Sequence, residues 1–98
     1  MSFDLSRIRA DFPILSRQVN NKPLVYLDNG ASAQKPQVVI DAVTQAYSSE
    51  YANVHRGLHY LSNLATDKYE AVRGKLARFL NAASEEHIVL NSGTTEGI

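Results

Sequence analysis

Two short apolar runs, "LVYLD" (24–28) and "HIVL" (87–90), constrain this chain more than any other feature. Both are rich in β-branched or large apolar residues and end in small, polar turns, the pattern of buried strands. Two helical patterns lie between them. Pro36 suits a first helical position, and after it Val38, Val39, Ala42, Val43, Ala46 and Tyr47 form a continuous apolar stripe. From Ser62, residues Leu64, Ala65, Tyr69, Val72, Leu76, Phe79 and Leu80 recur at helical spacing. Gly74 weakens that helix by about 1 kcal/mol relative to alanine, and Asn81 is its expected stop. Ahead of both, Asp4 caps an expected short helix over "LSRIRADF", ended by Pro13. "LSRQVNNKP" reads as a polar turn, with Asn20-Asn21 supporting a tight reversal. Ser84 is expected to cap one short turn before the second run. The order helix, strand, helix, long helix, strand predicts an α/β fold with helices packed on a sheet. Two short strands make very little sheet and each needs neighbours, so the chain is expected to be the front portion of a larger protein.

Composition excludes several functional classes. Ninety-eight residues suffice for one domain with a modest core. A hydrophobic content of 44% with 20% charged residues argues against disorder. Ten basic and ten acidic residues cancel without forming a block, which speaks against nucleic-acid and anionic-membrane partners. No apolar run approaches a bilayer span, and "MSFDLSRIRADF" lacks a signal peptide's apolar core; a cytoplasmic location is expected. There is no cysteine, hence no disulfide or thiolate metal site.

Three stretches could carry chemistry. "NSGTTEGI" (91–98) follows the second apolar run and resembles a strand, a loop and a first helical turn. Gly93 permits close backbone approach, and Thr94 and Thr95 offer hydroxyls and N–H groups to an anion. The same residues also make an ordinary glycine turn with N-capping threonines. The lysine and glycine spacing of a P-loop or a dinucleotide fingerprint is missing. Glu96 would repel an anion if it faced inward, so it is expected to face away, pairing with a cation or supporting the helix start. The second stretch, "LDNGASAQKP", places small residues from Asp28 to Ala33 at a strand's exit, where α/β folds often bind ligands. A turn nucleated by Asn29-Gly30 explains it equally well. In the third, "NVHRGLH" (53–59), His55 could transfer a proton and Arg56 could bind a carboxylate or phosphate. His55 and His59 lack a third ligand for a metal, and a merely solvated loop histidine is the simpler reading.

The ordered combination is more specific than its parts. "YLDNGASAQKP", "NVHRGLHYLS" and "GTTEGI" closely resemble the start of cysteine desulfurases of the SufS type, which are class V aminotransferase-like enzymes using pyridoxal 5′-phosphate. The likeness runs from "RIRADFPIL" to the last residue. It implies an α/β fold of the aspartate aminotransferase type (fold type I). Residues 1–22 would then be an N-terminal helix and arm, and residues 23–98 the beginning of the cofactor-binding large domain.

The resemblance also implies a chemistry. Such enzymes convert L-cysteine to L-alanine and leave sulfur as a persulfide for iron–sulfur cluster assembly, with a sulfur-acceptor protein as partner and a homodimer as the assembly. Gly93, Thr94 and Thr95 match part of the cofactor-phosphate site, and His55, the catalytic candidate, matches a histidine near cofactor and substrate. Gly30 and Ala31 match the small-residue edge of the substrate pocket. Gly30 departs from a more usual alanine, which could loosen the loop or enlarge the pocket. Arg56 and Glu96 would lie near the site and a dimer contact. The family's Schiff-base lysine follows a serine-x-histidine pattern that Lys22, Lys35, Lys68 and Lys75 do not occupy, and its acceptor cysteine is absent. The chain as written is therefore expected to be inactive. Two other readings stay open: a selenocysteine lyase or kynureninase-like relative, and a small non-enzymatic phosphate-binding module.

Overall fold

Asp4 opens the first helix by accepting the Arg7 N–H on Oδ1 at 3.0 Å, satisfying one of the donors that a helix start leaves open. The computed structural model describes residues 2–98, and in it this helix, α1, is Leu5–Ala10. Phe12 is extended, as the residue before a proline prefers, and Pro13–Ser16 form a 3-10 turn. Asn20 and Asn21 both adopt positive φ (52° and 60°), the conformation that a two-residue type I′ hairpin requires. The flanking strands β1 (Gln18–Val19) and β2 (Lys22–Pro23) pair antiparallel, Gln18 opposite Pro23 and Val19 opposite Lys22. The expected reversal is therefore present, with a small sheet around it that the polar sequence does not announce. Pro36 is the N-cap of α2 (Gln37–Gln45) rather than its first residue. The Gln37 N–H bonds the Asp11 carbonyl at 2.8 Å, tying the start of α2 to the end of α1.

The helix widens into a π turn over Ala46–Glu50. Thr44, Ser48 and Ser49 each donate a side-chain hydroxyl to the carbonyl four residues earlier. Such back-bonding competes with the regular ladder where the helix loosens. The chain divides into two compact units here, the first ending at Ser49 and the second being Glu50–Ile98.

The second unit is organised on α3 (Tyr60–Leu80), which starts two residues earlier than the periodicity predicts. Asn81 ends it in the left-handed region (φ 55°, ψ 39°). The Ala82 N–H returns to the Ala77 carbonyl at 2.8 Å and the Asn81 N–H to Arg78 at 3.3 Å, which is a Schellman closure. Ser84 caps a 3-10 turn over Glu85–His87, accepting the Glu86 N–H at 3.2 Å. That turn packs against α3 beside Gly74, where an added Cβ would stand 3.1 Å from the Glu85 carboxylate. A last short helix, α4, is Thr94–Gly97.

Neither "LVYLD" nor "HIVL" forms a strand. Residues 24–28 are irregular, the second run begins within the 3-10 turn, and Leu27 and Val89 are 92% and 78% exposed. A strand is stabilised by a paired neighbour, and among the described residues neither run has one. For the same reason the expected core is not assembled. Ala77 and Ser62 alone are buried among the described residues, and the α2 stripe leaves Val38, Val43 and Tyr47 exposed.

Asn81 is the position where backbone geometry alone sets a cost. Asn81→Val in the full-length protein is expected to lose about 1–2 kcal/mol, because a β-branched residue resists the left-handed region. Asn81→Gly is expected to be neutral or stabilising. Urea denaturation of the two variants checks both signs.

Candidate functional site

One face of α3 holds the histidine loop in place. Ser62, Thr66 and Glu70 are spaced by four along the helix and so line one side of it. The Ser62 hydroxyl donates to the Asn53 carbonyl at 2.6 Å and accepts the Gly57 N–H at 2.9 Å. Ser62 is fully buried, so both bonds replace water that those groups have lost. One turn along, Thr66 Oγ1 accepts the His55 N–H at 2.9 Å while donating to the Ser62 carbonyl at 2.8 Å. One further turn along, Glu70 Oε1 lies 2.8 Å from His55 Nε2.

This grip requires a glycine at position 57. An added Cβ there would stand 2.6 Å from the Ser62 Cβ, inside any tolerable contact. It also accounts for His55 itself, which sits at φ 60°, a left-handed conformation uncommon for a side chain of its size. The Tyr69 ring meets the imidazole edge-on at 5.6 Å with an interplanar angle of 89°. His59 is the N-cap of α3, its Nδ1 accepting the Ser62 N–H at 3.4 Å. Arg56, next in sequence to His55, lines a separate open pocket with Tyr51, Asn53, Gly57 and His59.

Arg73 extends the network. One of its terminal nitrogens bonds Glu70 Oε2 at 3.0 Å. The Nε donates to the Ile88 carbonyl at 3.1 Å, and the other terminal nitrogen to the Glu85 carbonyl at 3.1 Å. A continuous line of polar contacts thus runs from the His55 loop to the segment that leads into the terminal turn. Motif reading singles out neither Ser62, Thr66, Glu70 nor Arg73. Their signal was a polar series at four- and three-residue steps beside the apolar stripe.

The terminal turn is preorganised by its own side chains. Gly93 adopts φ 141°, a region that side chains other than glycine's resist. Its N–H bonds Asn91 Oδ1 at 2.9 Å. Glu96 folds back onto the loop and accepts the Ser92 N–H at 2.6 Å, which is the helix-supporting role among those expected for it. Hydrogen bonds from the Ser92 backbone, and secondarily from its side chain, hold the Glu96 carboxyl below its ordinary value of 4.5 against a small opposing effect of burial. The N–H groups of Thr94 and Thr95 find no acceptor among the described residues, and both threonines are exposed. The turn therefore offers two backbone donors and two hydroxyls to an anion.

Gly30 and Ala31 belong to the first unit. They lie in a turn where the Ala31 and Ser32 N–H groups both bond the Asp28 carbonyl, at 3.1 and 3.0 Å. Asn29 Oδ1 accepts the Gln34 N–H at 3.0 Å, and the Tyr26 hydroxyl donates to the Ser32 carbonyl at 2.7 Å. An added methyl on Gly30 would meet nothing within 4 Å, so the alanine that the resemblance leads one to expect would fit. The other six predicted residues, His55, Arg56, Gly93, Thr94, Thr95 and Glu96, all belong to the second unit.

Comparison with known proteins places the chain in a family. The family Aminotransferase class-V matches residues 25–98, and the chain belongs to that family. A cysteine desulfurase of Yersinia pseudotuberculosis serotype O:1b (strain IP 31758) is 60% identical over 98 residues, all of this chain and 24% of that protein. A cysteine desulfurase of Yersinia pestis (strain Pestoides F) is 59% identical over the same share of each. The apo structure of a cysteine desulfurase from Thermococcus onnurineus NA1 superposes with a TM-score of 0.73 at 36% identity, covering 91% of this chain and 20% of that one. The chain thus spans about a quarter of the length of the curated relatives it matches. Its fold class is the α/β, fold type I architecture expected from the sequence. No described helix is long and apolar enough to cross a membrane.

Two outcomes follow from this geometry. Ser62→Ala is expected to cost about 1–3 kcal/mol in the full-length protein, since it removes the two part-buried hydrogen bonds of the hydroxyl; chemical denaturation measures it. The Glu96 contribution has a definite sign. A carboxyl whose folded pKa is depressed stabilises the turn above its ordinary value and loses that effect as pH falls through the folded one. The Ser92 amide resonance is expected to titrate with a midpoint below 4.5, and Glu96→Gln to abolish that titration.

Proposed function

We propose that this chain is the N-terminal part of a cysteine desulfurase that converts L-cysteine to L-alanine and leaves the sulfur as an enzyme persulfide. The observation that carries the reading is 60% identity to a cysteine desulfurase across all 98 residues. On this reading residues 1–22 would be its N-terminal helix and arm, and residues 23–98 the beginning of its cofactor-binding large domain. The apolar faces left exposed on α2 and along both strand-like runs accord with further chain packing against them.

Pyridoxal 5′-phosphate is the cofactor of this reading, and the donor set at the terminal turn fits its phosphate. Thr94 and Thr95 supply N–H and hydroxyl donors, while Gly93 keeps the approach free of a side chain. Glu96 is occupied on Ser92, which leaves those donors to the phosphate. When bound, the cofactor supplies the electron sink for bond cleavage at the amino-acid carbon. The chain's own residues bind and orient: His55 takes or gives a proton at the substrate, Arg56 offers a cation to a carboxylate or phosphate, and Gly30 and Ala31 leave room beside the substrate. Arg56 and Glu96 also lie near a contact between the two subunits of a homodimer. In the balanced reaction the C–S bond breaks, the carbon gains hydrogen, and the sulfur joins a thiol to give a persulfide. This chain has no cysteine, so the acceptor thiol belongs to a later segment. On this reading the protein acts in the cytoplasm, and a sulfur-acceptor protein draws the sulfur toward iron–sulfur cluster assembly.

Full-length protein incubated with L-cysteine is expected to yield alanine and persulfide in equal amounts. Turnover of L-kynurenine or L-selenocysteine with no alanine from L-cysteine would assign the chain to another branch of the family. Thr95→Ala in the same protein is expected to weaken cofactor retention by about ten-fold or more, the value of one hydrogen bond to a charged group. Visible absorbance after dialysis reads this, and unchanged retention would remove Thr95 from the phosphate site.

A further inference from the structure

Nothing in the three sequence blocks marks Glu70, yet its carboxylate is the group that His55 Nε2 meets. Glu70 Oε2 is engaged by Arg73 at 3.0 Å, which leaves Oε1 for His55 Nε2 at 2.8 Å. An ionised carboxylate can only accept hydrogen bonds, so in the neutral imidazole Nε2 must bear the hydrogen and Nδ1 must be the bare, basic atom. Among the described residues Nδ1 has no hydrogen-bond partner. The His55 backbone is held at φ 60° with its N–H on Thr66, and the Tyr69 ring lies T-shaped to the imidazole at 5.6 Å. Glu70 is held just as firmly, because Arg73 also bonds the Glu85 and Ile88 carbonyls.

We propose that Glu70, with Arg73 holding it, is the positioning residue for His55: it fixes the neutral imidazole as the Nε2–H form and leaves Nδ1 as the free proton acceptor for the amino-acid substrate. The substrate half of this statement rests on the desulfurase reading above, whereas the tautomer half stands on the contacts alone. Glu70 acts through His55 and does not itself touch substrate. The two side chains are 51% and 39% exposed, so solvent weakens the bias that a buried pair would impose. An excess of the Nε2–H form of about three- to ten-fold over that of an unpaired imidazole is expected.

The test uses full-length protein carrying ring-¹⁵N histidine, observed by NMR at a pH above the ordinary imidazole range, with the His55 signals assigned by their loss in His55→Gln. Wild type is expected to show the Nε2–H form in excess. Glu70→Ala is expected to lower the tautomer ratio about three- to ten-fold. Glu70→Gln preserves the shape and so guards against a simple folding defect. It is expected to lower the ratio as well, because an amide presents a donor as readily as an acceptor. A wild-type spectrum dominated by Nδ1–H, or a ratio unmoved in Glu70→Gln, would overturn the assignment. Alanine production from L-cysteine, assayed on the same samples, keeps the two readings separate. Protein that is silent toward L-cysteine but shows the expected tautomer shift would refute the activity and uphold the role of Glu70 on His55.

Discussion

The second unit depends on one buried hydroxyl. Ser62 stands at the start of α3 with no exposure to solvent, joined on one side to the Asn53 carbonyl and on the other to the Gly57 N–H. The loop between Glu50 and Tyr60 has no helical or strand periodicity and no fold of its own. It acquires one because a rigid helix presents matched donors and acceptors at successive turns. Ser62 grips the loop at both shoulders, Thr66 takes the His55 backbone, and Glu70 takes its ring. Thr66 is itself steadied on the helix by its bond to the Ser62 carbonyl.

The same helix also organises the other half of the candidate site. Arg73 bonds two carbonyls of the segment before the terminal turn and a carboxylate that holds His55. A histidine loop and the segment before a glycine–threonine turn, some forty residues apart in the sequence, are thus joined through one guanidinium. Arginine suits this role because its planar fork serves several acceptors at once. The terminal turn adds its own local order through Glu96 and Asn91.

Several elements were legible in local sequence. Asp4, Ser84, Asn81 and the Asn20-Asn21 pair each do what their side-chain chemistry dictates within a few residues. The apolar stripe of α3 also marks its course, although the helix begins at Tyr60, two residues ahead of the periodic signal. The strand readings of "LVYLD" and "HIVL" fail for a different reason. Local sequence can state that a segment is suited to a sheet, but only a paired neighbour makes it a strand. Gly93 adopts a φ of 141° that suits glycine. Gly30 proved to have no such requirement.

By itself, then, the sequence determined the features decided over short range: helix caps, the hairpin turn, the glycine–threonine bend, and three ordered blocks distinctive enough to point to a family. Tertiary structure alone decided which partners His55 would have. Glu70 and Arg73 follow His55 by fifteen and eighteen positions and form an unremarkable acid–base pair on a helix surface. They become part of a site only when the loop folds back onto α3 and brings the imidazole within 2.8 Å of the carboxylate. The physical reason is one of range. Caps and turns are settled by torsions and bonds between near neighbours, whereas an imidazole's tautomer depends on a group that chain folding, and not chain order, places beside it.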